Sequence, residues 1–265
     1  QQLDKGSIVS AISHIKETAR ATGKQIISNW IPSAIPTDTQ GVITEQTIVY
    51  SYADIAVRRA VFAGYDPEEI ARLLSAATVE GTCLDWIVRS ADEVHHTILQ
   101  SAGYHHLATY ERLAVSPLPD LAKVNPAMLA RPDECAFIMD LLYHDFDPRL
   151  DHLPSHTHML EMITNGHVIV HRSNGNITGY FCCPVNGKSA HLNYWRSHDP
   201  DPLAGSMLIT QAYACMRQAG AIKAYAWVNV KNTRVAKIHR RLGMTPEGVH
   251  DYIYQKSTLS GASDA

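Results

Sequence analysis

Val228-Asn229-Val230-Lys231-Asn232-Thr233-Arg234-Val235-Ala236-Lys237-Ile238-His239-Arg240-Arg241-Leu242-Gly243-Met244 decides how this chain reads. Asn232 is a residue type that caps helices, and Gly243 is one that ends them. The apolar run Ala224-Tyr225-Ala226-Trp227-Val228 just before it predicts a buried strand, and Val249 to Tyr254 predicts a closing one. Upstream, Asp201-Pro202 opens a long helix through Met216, which Gln218-Ala219-Gly220 ends. The run is therefore β-α-β-α-β.

Further upstream the pattern changes to a meander. His167 to His171 and Ile177 to Phe181 are joined by Ser173-Asn174-Gly175-Asn176, and Asn186-Gly187 leads into Ala190 to Trp195. Asn-Gly between β-rich runs is a strong hairpin signal, because both turn residues tolerate positive φ. Before the meander, Met128-Leu129-Ala130 reads as a short strand and Asp133 to Tyr143 as a helix. His144 to His152 is polar and turn-rich, and Pro154 opens a helix ended by Asn165-Gly166. The fold class is α/β, a mixed sheet with helices on both faces. The strand ending near Ser197 and the strand around Trp227 are expected to be parallel neighbours that diverge toward their C-terminal ends.

The first half echoes the end of the second. Thr47 to Tyr52 and Ala56 to Ala63 suggest a hairpin, and Asp66-Pro67-Glu68-Glu69 a helix start with a glutamate in capping-box position. Leu84 to Val88 matches Tyr225 to Val228, a helix from Asp92 ends at Ala102-Gly103, and His106 to Leu113 closes with a strand. The expected organisation is a shortened first copy over residues 1–115, a proline-rich linker over 116–132, and a second copy over 128–265.

The segment from Val228 to Met244 resembles the second conserved motif of the Gcn5-related N-acetyltransferases (GNAT superfamily): a strand, an asparagine, a helix of small residues, an aromatic hydroxyl seven residues on, then Leu-Gly-Phe. Asn232, Val235, Ala236 and Leu242-Gly243 keep that pattern, and element order extends the likeness over Met128 to Lys256. The first half then resembles a degenerate copy, as in tandem members. The resemblance implies an N-acyltransferase that moves an acetyl or other acyl group from acyl-CoA, or from an acyl carrier protein, to the amine of a small molecule. It implies that the donor lies where two parallel strands splay, involving Tyr194, Trp195 and Arg196. The diphosphate would rest on the following helix start, Leu203, Ala204, Gly205 and Ser206, with Asn232 and Arg234 nearby.

This chain departs from the family at that helix start. The phosphate loop reads Pro200-Asp201-Pro202-Leu203-Ala204-Gly205, which keeps only the last glycine, and Asp199 and Asp201 add negative charge. Leu203 to Ser206 are expected to keep free amides. The position that resembles the family's proton-donating tyrosine is His239, and an imidazole can act as acid or base near neutrality. Tyr252, and beside it Tyr254, are the alternative hydroxyl donors. His144, Asp147 and Asp151, in the loop between the first two helices, are candidates to hold a cationic acceptor, with His191 on the splayed strand. His191 and Tyr194 are expected on opposite faces.

Composition narrows the rest. A formal charge of −3 without basic blocks suggests neither nucleic acid nor a membrane surface as partner, and no apolar run approaches a membrane helix. The five cysteines have no Cys-x-x-Cys pair and sit in apolar segments, which predicts buried, reduced thiols and, with no leader-like start, a cytoplasmic protein. Cys182 and Cys183, adjacent on a strand, should face opposite ways. His156-x-His158 alone does not make a zinc site, so no metal is expected. Two functional classes stay open, an acyltransferase and a catalytically silent binding protein of the same fold.

Overall fold

The computed structural model describes residues 1–32, 35–89 and 93–257. Helix α1 (Lys5–Ala21), which the sequence reading did not assign, is capped by Asp4, whose carboxylate accepts from the Ser7 amide at 2.8 Å, and it buries Ile8, Ile15 and Ala19. Strands β1 (Ile27–Ser28) and β2 (Gln40–Ile43) follow, then the hairpin β3 (Thr47–Asp54) and β4 (Val57–Gly64). Helix α2 (Pro67–Ala77) starts where Asp66 predicted. Its expected capping-box glutamate, Glu69, instead accepts from the Thr47 hydroxyl at 2.8 Å. Strand β5 (Cys83–Val88), helix α3 (Glu93–Ser101) and strand β6 (Tyr104–Val115) come next. The start expected for α3, at Asp92, lies outside the described residues.

Met128-Leu129-Ala130 is not a strand. Pro126 fixes φ and the Asn125 side chain accepts from the Ala127 amide, so Pro126–Met128 forms a 3₁₀ turn, and only Leu129 bridges to Ile169. Helices α4 (Cys135–Asp145) and α5 (His156–Thr164) follow, the second capped by Ser155 rather than opened by Pro154. Then come β7 (Val168–Ser173), β8 (Asn176–Cys182), β9 (Val185–Asn186), β10 (Ser189–His191) and β11 (Tyr194–Ser197). Asn174 (φ 51) and Gly175 (φ 82) make the predicted tight turn between β7 and β8. Helix α6 (Pro202–Gln218), strand β12 (Lys223–Asn229), helix α7 (Thr233–Arg241) and strand β13 (Thr245–Lys256) complete the chain.

These elements form two compact units. The first holds residues 1–109, 148–152 and the chain from 249 on. Its strands run β2-β3-β4-β5-β13. On one face α2 and α3 pack over Val49, Phe62, Leu84 and Trp86, and on the other α1 packs over Ile48, Tyr50, Val61 and Ala63. The closing strand, expected with the second half, belongs here because β13 pairs antiparallel with β5, Tyr252 opposite Trp86. Strands β4 and β5 are parallel and meet at Arg59 and Cys83.

The second unit holds residues 110–147 and 153–248. Residues 110–115 of β6, then β12, β10 and β9, form one sheet, and β11-β8-β7 form another. Helices α6 and α7 cover Ala224, Ala226 and Val228 of β12 together with Ile169 and Phe181, while α4 and α5 cover Val168, Val170, Tyr180 and Tyr194. Cys182 and Cys183 fall in these two different clusters, as strand alternation requires, and all five cysteines are buried free thiols. The proline-rich stretch expected as a linker packs on this unit: Leu118 is buried and its amide donates to the Ile222 carbonyl at 3.1 Å.

The stretch read as one strand, Ala190 to Trp195, is two. Strand β10 runs parallel to β12, Ser189 beside Lys223 and His191 beside Tyr225. The Leu192 amide makes the last bond to β12, at the Tyr225 carbonyl (2.8 Å), and the Asn193 amide turns to the Cys182 carbonyl of β8 (3.0 Å). From there β11 pairs with β8 alone. The strand ending at Ser197 is therefore not the parallel neighbour of the Trp227 strand that was expected: β11 and β12 lie in separate sheets, and it is β10 that runs parallel to β12.

Candidate functional site

Each unit contains a pair of parallel strands that separate, and the two gaps are treated differently. In the second unit the gap opens at Leu192. On one side lies β11, an edge strand whose only strand neighbour among the described residues is β8. On the other lie residues 226–229 of β12, which pair with β6 on the far side and, among the described residues, have no strand opposite them on the near side. Helix α6 begins just beyond the end of β11 and α7 just beyond the end of β12, so both helix N-termini stand at the open end. Unpaired strand edges can take an extended ligand as an added strand.

Most of the predicted donor residues lie along this gap, with differing exposure. Tyr194 points into the α4/α5 cluster, 5.2 Å edge-on from Phe146, while Trp195 stacks on Phe181 at 6.0 Å on the α6 side. Arg196 and Arg234 are exposed. At the start of α6 the amides are partly spent. Leu203 donates to the Asp201 carboxylate at 2.9 Å and Ala204 to the Asp201 carbonyl at 3.1 Å. Gly205 faces Ser197, with space for a Cβ 3.8 Å from the serine's own. Ser206 is exposed. Asn232 caps α7, accepting from the Val235 amide at 3.2 Å.

His239 is buried in α7, 2 % exposed, and its Nδ1 has no hydrogen-bond partner among the described residues. Burial pushes its imidazole down to about 4, so it is neutral at ordinary pH. Two hydroxyls of the same unit share this condition, Ser197 Oγ at the end of β11 and Tyr213 Oη in α6. His191 lies at the apex of the gap, stacked on Tyr225 at 4.5 Å, and burial likewise lowers it to about 4. Ala190 and Leu192 join the α6/α7 cluster, so His191 between them points away from it, and Tyr194 joins the α4/α5 cluster; the expected opposite faces are not observed. Tyr252 belongs to the first unit, 5.9 Å from Trp86 and 5.5 Å from His96, and is not brought together with His239 in one unit.

The acceptor loop is divided. His144 and Asp147 lie in the second unit, and Asp151 in the first. His144 is exposed and meets Asp145 at 3.3 Å. Asp145, the third aspartate of the same stretch, is the better connected: its carboxylate accepts from Tyr180 Oη and His198 Nε2, each at 2.9 Å. Burial opposes its charge, but these bonds hold it below the usual carboxylate range. Asp199 accepts from the Thr178 hydroxyl at 2.9 Å and the Asp201 amide at 2.9 Å.

In the first unit the gap is filled by the chain itself. Strand β1 pairs antiparallel with β4, Ser28 beside Ala63, on the stretch that follows the meeting point with β5. Asn29 Nδ2 donates to the carbonyls of Ala60 (3.0 Å) and Asp85 (3.1 Å), and its Oδ1 accepts from the Phe62 amide at 2.8 Å. The Trp30 amide adds a bond to Asp85 at 3.2 Å. Beside this plug lies a buried ion network. Arg59 reaches Asp54 at 2.8 Å and Asp85 at 3.1 Å, and His152 bridges the same two carboxylates at 3.3 and 3.0 Å. Arg59 also donates to the carbonyls of Pro148 (2.9 Å) and Asp151 (3.2 Å). Burial disfavours the His152 charge, but Asp85 and Asp54 outweigh it and raise the imidazole to about 9. Asp251, buried close to Asp85, is pushed up to about 8 by burial and by that neighbouring charge. A charged residue inside an otherwise apolar strand, as at Arg59 and Asp85, is the signal that could have revealed the network. Among the described residues no cluster of metal-ligating side chains occurs.

Comparison with solved structures decides what this architecture is. A GCN5-related N-acetyltransferase from Kribbella flavida matches at a TM-score of 0.56 and 17% identity, covering 84% of this chain and 90% of its own. One from Sphaerobacter thermophilus matches at 0.56 and 11%, covering 91% and 84%. The fold is that of the GNAT superfamily. A tandem GNAT protein from the clavulanic acid biosynthesis pathway also matches, at 0.53 and 14%, covering 83% of this chain and 80% of its own. No family model matches the sequence, and no curated protein matches it. No helix among the described residues is long and apolar enough to cross a membrane.

Proposed function

We propose that the second unit is an N-acyltransferase that takes an acyl group from a pantetheine thioester, acetyl-CoA or another acyl donor, and passes it to the amine of a small molecule. The observation that carries this reading is the open gap between β11 and β12, set against the filled gap between β4 and β5. One unit offers two unpaired strand edges beside two helix starts, and the other has bonded its own Ile27–Trp30 segment into the equivalent position. The first unit is then a degenerate GNAT-like copy that takes no donor.

In the transfer the amine nitrogen attacks the thioester carbonyl carbon. The new C–N bond forms, the C–S bond breaks, the amine gives up a proton and the leaving thiolate gains one. His239, Tyr213 and Ser197 are the buried, unpartnered groups of this unit that could serve these protons.

The test is hydrogen exchange with acetyl-pantetheine and acetyl-CoA. A donor lying as an added strand should protect residues 194–197 and 226–229 and leave 59–64 and 83–88 unchanged, with a rise in Tm. Protection in the first unit alone, or no response to either thioester, would overturn the reading.

A further inference from the structure

We infer that the acyl donor is delivered by an acidic carrier protein bearing an acylated phosphopantetheine arm, and that helix α7 is its docking surface. This rests on the thioester-dependent reading above and names the partner for that same site.

The start of α6 is poorly made for a nucleotide diphosphate. Pro200 and Pro202 have no N–H, and the amides of Asp201, Leu203 and Ala204 are already taken by Asp199 and Asp201. The carboxylates of Asp199 and Asp201 already sit on amides at this helix start, and a helix dipole worth about half a charge does not offset their two negative charges toward a further anion. The gap can still admit a pantetheine arm, because that arm needs strand edges rather than a phosphate cradle.

The surroundings have the opposite character. Lys231, Arg234, Lys237, Arg240 and Arg241 are all exposed, and residues 231–241 contain no acidic side chain. Among the described residues only Arg240 of these five meets a carboxylate, Glu111 at 3.7 Å. Leu203, Met207 and Val230, near the same helix starts, expose apolar side chains (64%, 46% and 50%). Apolar contacts within a field of one sign suit a protein partner of opposite charge, which such a field would steer and orient. An arm tethered to an acidic protein brings one phosphodiester rather than a diphosphate, and its charge complement lies on α7.

The experiment measures binding of three probes to the whole chain: an acidic carrier protein loaded with octanoyl-phosphopantetheine, octanoyl-CoA, and octanoyl-pantetheine. At low salt the loaded carrier should bind roughly tenfold more tightly than octanoyl-CoA, and raising salt from about 50 to about 300 mM should remove most of that advantage. Lys237→Glu with Arg241→Glu should weaken the carrier roughly tenfold and leave octanoyl-pantetheine unchanged. Octanoyl-CoA binding as tightly as the carrier would overturn the inference, as would carrier binding indifferent to the double variant. So would tighter binding of a single-stranded RNA than of the carrier. Failure of octanoyl-pantetheine itself to bind would instead sink the underlying thioester reading, so the two failures are distinguishable.

Discussion

The carboxamide of Asn29 donates to the backbone carbonyl of Asp85 at 3.1 Å, and with its bond to Ala60 it ties together two strands that would otherwise stand apart. A single side chain thus does for the first unit what an added strand would do. It satisfies edge groups that a buried gap cannot leave bare.

Asn29→Ala should therefore be costly. Three hydrogen bonds vanish and their backbone partners stay buried, so urea unfolding should show a loss of about 2–4 kcal/mol. Asn29→Asp should be worse, because a carboxylate can accept from Phe62 but would face two carbonyl oxygens. Binding of a thioester to the second unit should survive Asn29→Ala wherever the protein stays folded.

Arg59 and Asp85 form an ion pair that neither can leave singly. Asp85→Ala leaves the buried Arg59 guanidinium with Asp54 as its remaining carboxylate partner and removes the charge that faces His152, and it should cost about 3–5 kcal/mol in unfolding experiments. Arg59→Met combined with Asp85→Leu should cost clearly less than the sum of the two single changes, since removing both charges removes the desolvation they share.

The same network makes stability depend on alkaline pH. The His152 pKa is raised to about 9, so its stabilisation is full below its unfolded value near 6.5 and is lost as pH climbs through 9. Asp251, raised to about 8, is favoured in its neutral form in the folded state. Its contribution is full below about 4 and is lost as pH rises through 8. Both slopes have one sign between about pH 6.5 and 8. The Tm should fall across that window and on toward pH 9, and His152→Gln should flatten the fall. A wild-type Tm that stays level would show that these groups are not charged as described.

What could be read in advance was local. Asp66, Asp201 and Asn232 cap the helices they were expected to cap, and Asn174-Gly175 makes the turn its φ tolerance predicts. Pairing over long separations was not legible. Alternation along Val249 to Tyr254 says which side chains share a face but not that Trp86 is the neighbour of Tyr252, and so the closing strand was assigned to the wrong half. Asn29 carries no pattern of its own. Its importance comes from a gap made by residues 31 and 56 positions away. His198 and Asp145 illustrate the same limit in the second unit, being ordinary loop and helix-end residues until the fold brings them to 2.9 Å.

His239 is the mechanistic prediction. Its imidazole is buried, neutral because burial lowers it to about 4, and has an Nδ1 without a partner, a condition costly to maintain in a structural side chain. A neutral ring can take up the proton that the attacking amine releases and then, as the imidazolium, hand it to the leaving thiolate. If it does so, His239→Ala should lower kcat by roughly 10²- to 10⁴-fold, the range for a positioned proton donor. The thioester KM should change little, because the interaction matters mainly in the transition state. His239→Tyr, which restores a hydroxyl at this position, should keep part of the activity. The kcat profile should show no limb near pH 6.5, since no imidazole charge is gained or lost there. Should His239→Ala match wild type across the pH range while remaining folded, the proton must pass elsewhere. Tyr213, buried in α6 with its own unpartnered hydroxyl, would then be the residue to replace with phenylalanine next.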